Sequence, residues 1–222
     1  KDQLPLVYQL VNNDTIEVSG KYFQKGDILT FSLGEYNFDF PLVIDPVLNF
    51  STFIGGSADD FQYTGGLSKD NFGNLYETGR TYSNNFPTTP GTIQLNYGGV
   101  LDAVVYKLSP NGTTLLYSTY IGGNDVDAGY STYVEAVTGA VYVGGTTSSS
   151  NFPVTTGAYQ TSYGGGVYDG FVFKLNSLGT AFNYSTLIGN SQNDLGAGIT
   201  VDVNGNAWLV GQTNGTFINI GG

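Results

Sequence analysis

The chain repeats itself at a fixed interval, and this periodicity constrains its fold more than any other feature. The segment Ser-Thr-Phe-Ile-Gly-Gly at Ser51 returns as Ser-Thr-Tyr-Ile-Gly-Gly at Ser118 and as Ser-Thr-Leu-Ile-Gly-Asn at Ser185. Each step is about 67 residues, and a fixed period of this kind indicates an array of equivalent structural units. Because most notable residues have copies, the repeat weakens the case for one unique active site.

Each repeat contains four strand-like runs that are separated by turn residues such as Pro-Asn-Gly. Complete repeats are predicted at about 57–123 and 124–190, and a partial repeat at 191–222. Four antiparallel strands at a fixed period are typical of a β-propeller blade, and no amphipathic helix is predicted. The innermost strands of the second and third repeats are predicted to begin at Tyr130 and Ala197.

The first 48 residues lie outside the repeat. Their strand-like or extended runs are 6–11, 16–23, 28–33 and 41–46. The predicted fold is therefore all-β, with a small antiparallel β unit at 1–48 followed by a β-propeller repeat region at 49–222.

Propellers close with about four to eight blades, so two and a half repeats predict an incomplete ring. Residues 48–54 resemble the outermost strand of a further blade. We expect the chain to be part of a longer protein, and the alternative is that other chains complete the ring. The absence of Met also predicts a processed or excised piece.

The composition excludes several classes of function. Lys and Arg total 7 against 18 Asp and Glu, and a net charge of −11 disfavours nucleic acid and anionic lipid. Without Cys or His, thiol nucleophiles, thiolate zinc sites and histidine bases are excluded. No apolar run is long enough to cross a bilayer, so no membrane insertion is expected.

Several motifs resemble the bacterial β-propeller repeat called SBBP. They are the segment 117–123, the Asp-x-x-Gly-Asn turn at 202–206, the Asn-Phe-Pro-x-Thr loops at 85–89 and 151–155, and the strand 102–108. Residues 1–48 resemble the β-rich segment that often precedes such repeats. The resemblance implies a large secreted or outer-surface protein, with no known enzymatic activity and no agreed ligand.

Asp60, Asp127 and Asp194 occupy one repeat position, in the predicted loop just before the innermost strand of each blade. Oxygen ligands from equivalent carboxylates near a central channel suggest a Ca²⁺ site. The alternative is that each Asp bonds backbone N–H groups and fixes its own turn, and the sequence favours this reading. No other cofactor is expected.

Asp102 and Asp169 also correspond, each at the start of a third strand. Paired carboxylates suggest a glycosidase, but equivalent positions on neighbouring blades have no evident reason to take opposite roles. A structural bond to the adjacent loop is favoured, and no catalytic residue is predicted.

The long loops between second and third strands are rich in aromatic residues. Tyr82, Tyr97 and Tyr163 are the candidate contacts for a glycan or protein partner, because sugar faces stack on aromatic rings. The alternative is that the loop rings cover blade edges, and Phe86 and Phe152, each followed by Pro, are predicted to be such anchors.

Taken together, the sequence predicts a non-catalytic scaffold, structural or adhesive, that is secreted or exposed on the cell surface. Its expected partners are proteins, further copies of itself, or surface glycans. A lectin-like propeller is the alternative function, and a glycan-cleaving enzyme is a weaker one.

Overall fold

The computed structural model describes residues 6–12, 14–25, 28–45, 51–62 and 66–215. Within these ranges the chain forms sixteen β-strands in antiparallel sheets and no helix, so none is present that could cross a membrane. This confirms the predicted all-β class. The chain divides into two compact units, Lys1–Ser51 and Thr52–Gly222. The division into domains 1–48 and 49–222 stays a prediction.

The N-terminal unit contains two small antiparallel sheets. Its strands are β1 (Leu6–Val11), β2 (Asp14–Glu17), β3 (Gly20–Lys25), β4 (Ile28–Leu33) and β5 (Leu42–Asp45). One sheet has the order β2-β1-β5 and the other pairs β3 with β4. The single strand predicted over 16–23 is wrong: it breaks at Val18, which is buried and donates its N–H to the Val7 carbonyl at 2.8 Å.

The repeats form antiparallel blades in which strands pair with their sequence neighbours, except that in the first blade both β6 and β7 pair with β8. The first blade contains β6 (Asp60–Gln62), β7 (Ser68–Lys69), β8 (Leu75–Thr81), β9 (Asp102–Leu108) and β10 (Leu115–Ile121). The second contains β11 (Asp127–Val134), β12 (Val141–Thr147), β13 (Asp169–Leu175) and β14 (Phe182–Ile188). The third contains β15 (Asp194–Val201) and β16 (Ala207–Thr213). The order β11-β12-β13-β14 is the predicted four-stranded antiparallel blade.

The innermost strands begin earlier than the sequence indicated. β11 and β15 start at Asp127 and Asp194 rather than at Tyr130 and Ala197. Their first residues already pair with Thr147 and Thr213, and a bulge follows in each strand, which interrupts the alternation that strand prediction relies on. Of the predicted strand 48–54, residues 48–50 lie outside the described ranges, and 51–54 are not in a strand.

The main core lies between the first and second blades. Both faces of β12 are buried, because Val141 and Val143 pack in a core cluster with first-blade residues and the other face packs on β15. Phe171 of β13 is fully buried and stacks on Phe152, with ring centroids 4.5 Å apart. Across the ladder it faces Gly145, where a Cβ atom would overlap the ring. Aromatic burial against a glycine therefore fixes the spacing between strands and blades.

We expect Phe171→Ala to lower the free energy of unfolding by about 3–5 kcal/mol, because it leaves a cavity between two blades. The measurement is chemical denaturation followed by circular dichroism. Phe72→Ala is the matched control, since Phe72 lies in a turn with 74% of its surface exposed and should change stability by less than about 0.5 kcal/mol. Equal effects of the two substitutions would contradict this assignment of the core.

Candidate functional site

Three equivalent carboxylates, Asp60, Asp127 and Asp194, each begin an inner strand, and we call them the blade-start carboxylates. Asp127 is fully buried. Its Oδ2 accepts the Gly123 N–H at 2.7 Å and the Ser149 hydroxyl at 2.8 Å, and its Oδ1 accepts the Thr147 hydroxyl. Gly123 follows the outer strand of the first blade, so this one side chain links consecutive blades.

The other two blade-start carboxylates repeat the pattern with local changes. Asp60 accepts the Gly56 N–H at 2.8 Å, the Ser83 hydroxyl at 3.3 Å and the Thr81 hydroxyl. Asp194 accepts the Asn190 N–H at 2.6 Å and the Asn190 side-chain amide at 3.3 Å. In all three positions the turn before the strand supplies a backbone donor, as the turn-fixing alternative requires.

These hydrogen bonds bear on the calcium hypothesis. Each carboxylate serves its own turn, and no group of three or more acidic side chains that could hold a metal is found in the described part of the chain. A Ca²⁺ ion takes six to eight oxygen ligands, which one carboxylate per blade does not supply alone. Calcium binding at Asp60, Asp127 and Asp194 stays a prediction, to which the arrangement adds no support.

Asp102 and Asp169 begin β9 and β13, and both are fully buried. Asp102 accepts the Gly98 N–H at 2.7 Å, the Gly99 N–H at 3.2 Å and the Gln94 amide at 3.2 Å. Each of these donors belongs to the loop that leads into β9. The carboxylate therefore holds the loop in place, which is the structural role that the sequence favoured.

Asp169 departs from this pattern in one respect. Its Oδ2 accepts the Gly164 N–H at 2.6 Å and the Gln160 amide at 3.2 Å, but its buried Oδ1 has no hydrogen-bond partner. The loop from Gly164 to Asp169 is one residue longer than the corresponding loop from Gly98 to Asp102. Because of the inserted residue, Asp169 lacks a second backbone donor of the kind that Gly99 provides to Asp102.

The buried carboxylates are close enough to affect one another. A Cβ atom on Gly122 would lie 2.8 Å from both Asp102 Oδ1 and Asp127 Oδ2, so these oxygens are within about 6 Å of each other. Burial, together with the neighbouring Asp127 charge, raises the pKa of Asp102 to about 6. The hydrogen bonds from Gly98 and Gly99 act in the opposite direction. Burial also raises the pKa of Asp127 and of Asp169.

The three candidate tyrosines do not share one environment. The Tyr97 hydroxyl donates to the Val100 carbonyl and the Tyr163 hydroxyl donates to the Gly166 carbonyl at 3.4 Å, so both rings close their own loops. Burial, together with the Asp102 charge, raises the pKa of Tyr97 to about 12. Tyr82 is 46% exposed and stands edge-on to Phe61 with ring centroids 6.5 Å apart.

The predicted loop anchors are confirmed. Phe86 and Phe152 are buried, and Phe152 packs in the core between the blades. The Phe86 N–H donates to the Tyr120 hydroxyl at 2.8 Å, and that hydroxyl donates to the Ser83 carbonyl at 2.8 Å. One buried hydroxyl group therefore closes the start of the first long loop.

Sequence reasoning missed the partners of the carboxylates. Thr81, Thr147 and Thr213 pair with the blade-start carboxylates across the ladder. Gln94 and Gln160 bind the carboxylates of β9 and β13 and accept a backbone N–H from the following glycine turn. Both sets recur at a step of about 66 residues, so the periodicity contained the signal.

Comparison with known families agrees with this architecture. Residues 183–218 match the family model for the SBBP β-propeller repeat, which confirms the resemblance seen in the sequence. Residues 1–47 match the model of a domain of unknown function, DUF7948. No curated protein sequence matches the chain.

We expect Asp102 to make stability depend on pH. Its pKa in the folded state lies above the ordinary value of 3.8, so between about pH 4 and pH 6 the folded state binds more protons than the unfolded state. Stability from this group is therefore lost as pH rises through that window. We expect Asp102→Asn to remove this component, so that the melting temperature of the variant falls less than that of the wild type from about pH 4.5 to pH 7.

Asp59→Asn is the control for the pH experiment, because Asp59 is exposed in the turn before β6. Its melting curve should follow that of the wild type at each pH. Parallel pH profiles for Asp102→Asn and the wild type would contradict the proposed contribution of Asp102.

Removal of metal tests the calcium alternative separately. Because each blade-start carboxylate is bonded within its own turn, we expect excess chelator to leave the melting temperature unchanged. A ligand that binds only the folded state would instead raise the melting temperature as its concentration increases. A rise with added Ca²⁺ that is lost on Asp127→Asn would favour the calcium site.

Proposed function

Since the chain carries an SBBP-type β-propeller repeat and folds into propeller-type blades, we propose that it is a non-catalytic structural or adhesive scaffold. It works outside the cell or on the cell surface, as a module of a larger protein or assembly. Its rigid blades present loops to protein partners, to further copies, or to glycans.

One observation carries the proposal: the repeated carboxylates serve the fold. Asp102, Asp127 and Asp169 are fully buried, and their hydrogen bonds go to glycine turns, Thr and Ser hydroxyls, and Gln amides. A glycosidase needs an acid and a base or nucleophile that both reach the substrate. Buried carboxylates that are bonded to their own loops do not meet that requirement.

A turnover experiment tests the non-catalytic part. We expect no release of reducing ends when the full chain is incubated with a broad polysaccharide panel. Asp102→Asn and Asp169→Asn are the matched variants, and neither should alter the background. Reducing ends that appear with the wild type and disappear with either variant would overturn the proposal.

Labelling of intact cells tests whether the protein lies outside the cell. In the source cells, an antibody against the chain should bind intact cells or the medium, and protease added outside should remove the cell-bound signal. Signal that appears only after lysis would contradict an extracellular scaffold.

A lectin-like function is the second candidate, and the exposed ring of Tyr82 beside Phe61 favours it. Aromatic contacts of this kind contribute about 0.5–1.5 kcal/mol, so we expect Tyr82→Ala to weaken any glycan affinity by about 2- to 10-fold. Glycan titration by calorimetry makes the measurement. Tyr159→Ala is the control, since Tyr159 is an exposed loop tyrosine in the next blade. Equal affinities for both variants and the wild type would remove this candidate.

A further inference from the structure

Three side chains of the first blade depart from the repeat at one place. Phe61 of β6 pairs with Arg80 of β8 in the ladder, and Tyr82 follows directly after β8. We call these three residues the first-blade cluster. The second blade has small residues at the equivalent positions: Ala128, Thr146 and Ser148. The third blade has neither an aromatic ring nor a cation there, but Leu195, Gln212 and Asn214.

The residues of the second blade show what the fold itself needs at these positions. Ala128 is buried, and the Thr146 hydroxyl donates to the Gly196 carbonyl at 3.4 Å. The Ser148 hydroxyl accepts the Val126 N–H at 3.0 Å and donates to the Val126 carbonyl at 3.3 Å. A blade is therefore complete without an aromatic ring or a guanidinium group at this place, so the first-blade cluster is not explained by the fold.

The first-blade cluster lies on the face of β8 that meets the second blade. Thr78 and Arg80 are two residues apart and share that face, and Phe61 shares it as the ladder partner of Arg80. A Cβ atom on Gly129 of β11 would overlap the Thr78 hydroxyl oxygen, so this face contacts the next blade. The cluster thus lies at a junction whose two sides are both described.

The first-blade cluster combines a cation with two accessible rings. The Arg80 Cζ atom lies 5.1 Å from the centroid of the Phe61 ring, and the Tyr82 ring stands edge-on to Phe61. Phe61 is 40% exposed, Tyr82 is 46% exposed, and Arg80 is partly exposed. The N–H groups of a guanidinium lie in its own plane, so a guanidinium over a ring can still bind a carboxylate along its edge.

We propose that the first-blade cluster binds an acidic sugar, a hexuronic acid unit of a polysaccharide. Arg80 binds the sugar carboxylate through two parallel hydrogen bonds, and the exposed Tyr82 ring stacks on the C–H face of the pyranose. Asn84, exposed in the loop after Tyr82, provides amide groups for the sugar hydroxyls. This inference rests on the lectin-like candidate, because Tyr82 belongs to both, and it names the class of sugar.

The charge of the chain favours an acidic sugar over other anions. A net charge of −11 repels anions at long range, so an anion has to be recognised by local contacts. A hexuronic acid has its carboxylate bonded directly to the pyranose ring, so one unit can contact the guanidinium and an aromatic ring together. An acidic peptide has its carboxylates on flexible side chains and offers no such ring face.

Calorimetric titration of the full chain with an oligogalacturonate and with its methyl ester tests the proposal. The ester has the same rings without the charge, so we expect the acid to bind at least about 10-fold more tightly. Arg80→Thr should weaken binding of the acid by at least about 10-fold and remove the difference between the two probes. This variant carries the residue type of Thr146 in the second blade, so it should fold as the wild type does.

Two further variants locate the site. Lys69→Gln is the matched control, because it removes one positive charge from an exposed side chain of β7, and it should change neither affinity. Phe61→Ala should weaken binding of the acid by about 2- to 5-fold, because the ring that holds the guanidinium is lost. The second blade tolerates Ala128 at this position.

Four results would overturn the proposal: no binding of the acid, equal affinities for the acid and the ester, undiminished binding by Arg80→Thr, or an equal loss with Lys69→Gln. Equal affinity for an oligoglutamate peptide would also overturn it. Binding of acid and ester alike that is lost on Tyr82→Ala would overturn the acidic-sugar site but support the lectin-like candidate. None of these results alters the turnover and labelling tests of the scaffold.

Discussion

The arrangement of the blades depends on a hydrogen-bonded carboxylate at the start of each inner strand. Asp127 binds a glycine turn that ends the first blade, and it also binds Thr147 and Ser149 of its own blade. Burying a charged carboxylate is unfavourable unless it is hydrogen-bonded, so the turn and the hydroxyls must reach it together. This requirement sets where one blade stops and the next begins, and it explains why the same side chain recurs with the period of the fold.

Where two buried carboxylates are neighbours, their ionised forms destabilise the folded state. Asp102 and Asp127 both lie beside Gly122 and both are buried, so the charge of Asp127 opposes ionisation of Asp102. Glu135 shows the opposite balance: its burial acts to raise its pKa, but bonds from Lys174, Thr138 and Tyr142 lower it to about 2. The tips of the blades are therefore stabilised by ionised pairs, whereas the blade junctions contain acids for which burial favours the neutral form.

Periodicity was sufficient to predict the blades, the four strands of the second blade and the bond of Asp102 to its adjacent loop, because those properties depend on local sequence patterns. It placed Asp127 in a loop, however, since a bulge near Gly129 hides the strand alternation. The proximity of Asp102 to Asp127 and the position of Phe171 over Gly145 depend on how two sheets pack. Periodicity in one chain identifies equivalent residues, but it does not say which of them meet across a junction.

The correspondence between residues of successive repeats becomes informative again once the contacts of one blade are known in three dimensions. In the first blade, Asp70 accepts the N–H groups of Phe72 and Asn74 and the Asn74 side-chain amide. In the third blade, Asp202 accepts the N–H groups of Asn204 and Asn206 and the Asn206 side-chain amide, so its presence is explained by its own turn. The repeat thus acts as its own template, because a contact shown in one blade predicts the equivalent contact in the next.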